Sequence, residues 1–131
     1  MIDINIPEAT SLPSEIDQDK CINLYIEILK GTTGFKIIVE RLTASLILNI
    51  GNSIFNKKKT AKIAFYLNYD QNLISYYNAA YYSDCPIPYK AVRKKIIEAV
   101  LETVGRSFLN KGYRTKLKDL SEDDGTIIIY W

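Results

Sequence analysis

Hydrophobic and polar positions change period several times along this chain. Ile2, Ile4 and Ile6 alternate with polar residues ahead of Pro7 and Pro13, the pattern of an extended arm. Ser14 is placed to cap a short helical turn running to about Lys20. Ile22, Leu24, Ile26 and Ile28 then alternate with Asn23, Tyr25 and Glu27. After Gly31-Thr-Thr-Gly34 the alternation resumes at Phe35, Ile37 and Val39. This predicts a first β-hairpin. A helix over 16–29 competes with it, because Ile22, Ile26 and Leu29 also share a helical face. From Thr43 to Phe55 the period is helical, with Leu46, Ile47, Ile50, Ile54 and Phe55 on one broad face.

Lys57-Lys58-Lys59 leads into a predicted second hairpin. Residues 61–69 and 72–81 are rich in β-branched and aromatic types and flank a Tyr-Asp-Gln-Asn turn. With Tyr69 opposite Asn72, one face carries Ala61, Ile63, Phe65 and Leu67 and reads as core. The other carries Lys62, Ala64, Tyr66 and Asn68 beside Leu73, Ser75, Tyr77 and Ala79, with Tyr81 just beyond. Cys85-Pro-Ile-Pro88 breaks the chain. The strongest helix runs from Tyr89 to about Asn110, where Val92, Ile96, Val100, Val104 and Phe108 form an i,i+4 line reinforced by Ile97 and Leu101 and ended by Gly112. Tyr113–Leu120, a turn at 121–125 and a strand over 126–131 complete a third hairpin. The pattern therefore predicts an α+β fold: β-hairpins forming an antiparallel sheet, with two main α-helices packed on it.

Composition bounds the picture without changing it. The chain has 131 residues, 47% of them hydrophobic and 24% charged, as expected of one globular domain over 1–131. No apolar run reaches the ~18–20 residues of a membrane span, and the acidic, alternating start is unlike a signal peptide. An intracellular, cytoplasmic location without membrane contact is the expectation. Cys21 and Cys85 lie far apart in sequence, so whether they pair depends on the fold. Two half-buried thiols are the simpler reading.

Charge changes the picture more. Residues 1–19 hold five acids and no base, an acidic arm. Residues 57–118 hold thirteen Lys/Arg against four acids, and eight of the ten tyrosines fall between 66 and 113. Residues 119–131 return to four acids and no base. A basic block interleaved with flat, polar-tipped rings suits a phosphate backbone and stacked bases.

The candidate nucleic-acid-binding residues follow. Tyr66, Tyr77 and Tyr81 offer ring faces, although such rings also pack under helices or at dimer seams. Lys57, Lys58, Lys59 and Lys62 precede and enter a strand, where lysines also serve as edge guards. Lys90, Arg93 and Lys94 crowd a helix start, opposing the helix dipole unless acids or a bound anion answer them. Arg114 and Lys116, with Lys118, alternate onto one strand face.

Enzymatic chemistry finds no foothold. There is no histidine, so histidine-dependent triads and histidine metal sites are excluded, and no CxxC pair or glycine-rich phosphate loop is present. The acids gather at the two ends, away from Asp70 and Asp84. The expectation is a non-enzyme with no cofactor and no metal.

The segments Ile63-Ala-Phe-Tyr-Leu-Asn-Tyr69 and Ile74-Ser-Tyr-Tyr-Asn-Ala-Ala-Tyr-Tyr82 resemble the idiom of small crenarchaeal-virus proteins. With its length, basic aromatic middle and acidic-then-aromatic end, the chain is similar to the single-stranded-DNA-binding proteins of rod-shaped archaeal viruses. That resemblance is one of style across the chain and assigns no residue. It implies single-strand binding without an OB-fold, by a dimer.

The leading expectation is sequence-tolerant binding of single-stranded DNA or RNA by a homodimer. The alternative is a small interaction module (an immunity, inhibitor or defence-evasion protein) whose basic surface meets an acidic partner protein. The acidic C-terminal segment could itself recruit a protein if it were a detachable tail. Three consecutive isoleucines, Ile127 to Ile129, favour a buried strand instead, with Tyr130 or Trp131 at its rim.

Overall fold

The computed structural model describes Ile6, residues 8–11, 18–67 and 89–131. After a 3-10 turn at Ala9–Ser11, the elements are α1 (Gln18–Lys30), α2 (Thr33–Phe55), β1 (Thr60–Tyr66), α3 (Tyr89–Leu109), β2 (Arg114–Lys118) and β3 (Asp124–Tyr130). The fold is α+β, with three helices rather than the expected two among the described residues. The arm over 1–5, Ser14 and the 72–81 half of the second hairpin lie outside them.

The predicted first hairpin is helical. Both periods fit Ile22 and Ile26, but the alternating set is split by the structure: Ile28 is 42% and Ile37 45% exposed. The helical set Ile22, Ile26 and Leu29 is buried, as are Phe35, Ile38 and Leu42 on α2. Thr32 enforces the break between the two helices. Its hydroxyl donates to the Leu29 carbonyl (2.7 Å) and accepts from the Phe35 amide (3.3 Å), closing α1 and capping α2 with one side chain. Helix α2 thus begins ten residues before the expected Thr43 and runs for 23 residues.

α3 follows its sequence signature closely. Val92, Ile96, Ile97, Val100, Leu101, Val104 and Phe108 are all buried, and Gly112 turns the chain at φ +93°. The long helix lies against the sheet at two glycines. A Cβ at Gly105 would stand 2.9 Å from Ile127 Cδ1; one at Gly125 would stand 2.8 Å from Leu120 and 2.9 Å from both Ile97 and Leu101. A methyl group at either crossing would force its neighbours to shift.

The sheet is antiparallel in the order β1-β3-β2, so the C-terminal strand is its centre. Ile127 and Ile129 are fully buried toward the helices, each contributing about 1.5–3 kcal/mol on burial. Trp131 extends the ladder, donating its amide to the Lys59 carbonyl (3.1 Å), and its ring meets Tyr113 edge-on at 6.0 Å. The segment is a strand and not a detached tail.

The backbone bonds Leu67 N–H to Asp123 O and Trp131 N–H to Lys59 O set the odd-numbered groups of β1 toward β3. Those are the groups that the expected 61–69/72–81 register needed. The even-numbered groups face away from β3, and there Asn49 of α2 donates its side-chain amide to the Lys62 carbonyl (2.9 Å). One core cluster joins all three helices to the inner sheet face. Cys21 is a free, half-buried thiol, while Cys85 lies outside the described residues.

Candidate functional site

Strand alternation sorts the sheet into two faces. Ala61, Ile63 and Phe65 of β1, Gly125, Ile127 and Ile129 of β3, and Thr115 and Leu117 of β2 face the helices. The remaining residues face outward in cross-strand rows set by the register. One row is Thr60, Tyr130 and Arg114; the next is Lys62, Ile128 and Lys116; the third is Ala64, Thr126 and Lys118. Tyr66 and Asp124 stand opposite each other at the end. Lys62, Arg114, Lys116 and Lys118 are exposed, Ile128 and Tyr130 half-buried, and Tyr66 is 48% exposed.

Two shallow depressions of about 490 and 480 Å³ run along this outer face. In the first, Asn49, Asn52 and Ser53 of α2 and Lys58 stand across from Lys62, Ile128 and Tyr130. The second continues past Ala64 and Thr126 to Tyr66, Lys118 and Asp119. The floor along β3 is formed by Thr126, Ile128 and Tyr130, with cations on the strands to either side. The acids Asp119 and Asp124 lie at one end only, and the Ser121 hydroxyl donates to the Asp124 carboxylate at 2.9 Å.

Of the sequence-predicted residues, Lys62, Tyr66, Arg114 and Lys116 come together on this face. Lys58 joins them at its lip, while Lys57 and Lys59 are exposed in the connection from α2 to β1. Tyr77 and Tyr81 lie outside the described residues, and of Lys90 only its place in the first turn of α3 is described. α3 packs on the covered side of the sheet, so Lys94, though exposed, belongs to a different surface.

Arg93 is a correction. It is 6% exposed, its Nε donates to the Glu122 carbonyl (2.8 Å), and its guanidinium pairs with the Asp123 carboxylate (3.4 Å). The base at the helix start is answered by the acidic turn before β3 and is unavailable to a phosphate. Further along α3, Glu98 pairs with Lys95 (3.6 Å).

Sequence reasoning missed Asn49, Asn52 and Ser53. Their signal is three polar residues at i, i+3 and i+4 within the otherwise apolar stretch from Leu46 to Phe55. It also left Ile128 off the site, while Lys118 and Tyr130, placed by the sequence on a strand face and at a strand rim, stand on either side of it. Among the described residues, no three His, Cys, Asp or Glu side chains gather closely enough to hold a metal ion. No protein-family model, curated protein or solved structure matches the chain.

Proposed function

We propose that the chain binds single-stranded nucleic acid, without catalysis, along the outer face of its sheet. The observation that carries this reading is the register: both edge strands turn their cations to the same side, around the apolar and aromatic residues of β3. Lysines that only guard an edge against pairing need no common face and no aromatic floor between them. Here Lys62, Arg114, Lys116 and Lys118 offer phosphate contacts, while Tyr130 and Tyr66 offer rings to unstacked bases. Each stacked base contributes about 1–3 kcal/mol with little regard to its identity.

The amides of Asn49 and Asn52 add donors and acceptors at one wall. A strand lying in this trough would keep its backbone near the cations on the rims and its bases over β3. The resulting site tolerates sequence and discriminates against duplex, whose bases are not available for stacking.

Fluorescence-anisotropy titration of a labelled 30-mer tests this. Affinity should fall steeply as salt rises, because phosphate neutralisation releases counterions, and single strands should bind tighter than duplex. No binding at low salt, or binding indifferent to salt, would refute the proposal.

A further inference from the structure

We infer that the outer edge of β2 takes up an extended peptide from a partner protein, an antiparallel strand in which acidic and apolar residues alternate. β2 ends the sheet among the described residues. The odd-numbered backbone groups of β3 are turned to β1. Its even-numbered groups therefore serve β2, through the pairs Arg114–Tyr130, Lys116–Ile128 and Lys118–Thr126. The N–H and C=O groups of Thr115 and Leu117 are thus directed away from β3, along a side of β2 with no described strand beside it. The far side of β1 differs, because Asn49 answers the Lys62 carbonyl there.

A groove of about 220 Å³ runs beside this edge, between β2 and α3. Leu101 and Ile127 are fully buried at its base, Gly105 contributes no side chain, and Leu109, 52% exposed, forms part of its wall. Thr115 and Leu117 line the β2 side and are only half-buried. An apolar cavity of about 150 Å³ already admits benzene, so the groove has room for aliphatic side chains. When a peptide adds to a sheet edge, main-chain hydrogen bonds give affinity, and pockets that meet every second side chain give specificity.

Charge selects the partner. In an added antiparallel strand, the residues opposite Thr115 and Leu117 point into the groove. Those opposite Arg114, Lys116 and Lys118 point to the outer face, where three exposed cations meet them. Opposite charges facing each other across strands attract, and like charges repel. A second copy of β2 would set cations against cations, so the edge resists self-pairing and admits an acidic strand. The inference concerns this edge alone and does not rest on nucleic-acid binding.

Fluorescence anisotropy on the full chain, with no nucleic acid present, tests it. The probe is a labelled seven-residue peptide of alternating glutamate and valine. It should bind with micromolar affinity, and the lysine–valine counterpart should bind at least about tenfold more weakly. Methylating the valine amides, which would face β2, should abolish binding. Methylating the glutamate amides, which would face away, should change it by no more than about threefold, a difference that charge attraction alone would not produce. Leu109→Glu, at an exposed position, should hold the melting temperature and weaken binding at least about tenfold, because it sets a charge in the apolar groove. Leu48→Glu on α2 should not weaken it. Absence of binding at several hundred micromolar, equal binding of the lysine peptide, or the same response to both methylation patterns would overturn the inference. So would a folded Leu109→Glu variant that binds like the parent.

Discussion

Lys62 on β1 and Lys116 on β2 stand on the same side of the sheet, one on each flank of Ile128, which pairs with both. Two strand spacings put their backbones about 10 Å apart. Neither lysine is near the other in sequence, and only the insertion of the last strand between β1 and β2 makes them neighbours. That insertion builds the candidate site and the core at once, because Ile127 and Ile129 serve the helices from the other face of the same strand.

Arg93 should matter for stability and not for ligand. Arg93→Ala leaves the Glu122 carbonyl without its partner and should cost about 1–3 kcal/mol in urea unfolding. Arg93→Lys should recover little, since an ammonium cannot reproduce the planar fork. An Arg93→Ala variant as stable as the parent would contradict the structural role.

Gly125→Ala tests the closeness of α3 to the sheet. Its methyl group would press on Leu120, Ile97 and Leu101 at 2.8–2.9 Å, and overpacking of that kind costs about 1–3 kcal/mol. A melting temperature lowered by several degrees is expected, and an unchanged one would mean that α3 stands farther from β3.

Removing residues 127–131 should abolish cooperative thermal melting, because the deletion takes the central strand from under both neighbours. A truncated chain that melts like the parent would restore the reading of a detached tail.

The parts of the fold legible in sequence were those in which one period ran unopposed. Val92 to Phe108 keep a single i,i+4 line for four turns, and the three isoleucines of β3 demanded burial. Residues 22–39 misled because apolar side chains at every second position satisfy both periods over a short stretch. Leu29 and the double-acting Thr32 hydroxyl settle the outcome, and their weight shows only once α1 has a core to face. The central place of β3 depends on pairing between residues some 60 positions apart, about which local pattern is silent.

The site was legible in its charges and not in its assembly. Lys62 and Tyr66 were expected to share a face, as were Arg114 and Lys116, but their meeting across Ile128 required the strand order. Arg93 looked like a phosphate ligand because the turn that answers it comes 29 and 30 residues later. Asn49, Asn52 and Ser53 line the site only because β1 lies beside α2.

Charge reversal on the two flanks of Ile128 tests the central claim most directly. Lys62→Glu combined with Lys116→Glu, both exposed, should leave the melting temperature unchanged within error. The pair should lower affinity for a labelled single-stranded 30-mer by at least about a hundredfold at low salt and flatten the salt dependence of what remains. Lys94→Glu, on α3 and away from the outer sheet face, should shift affinity by no more than a few-fold. Equal losses from the two variants, or none from the double substitution, would contradict the assignment of the outer sheet face as the binding surface.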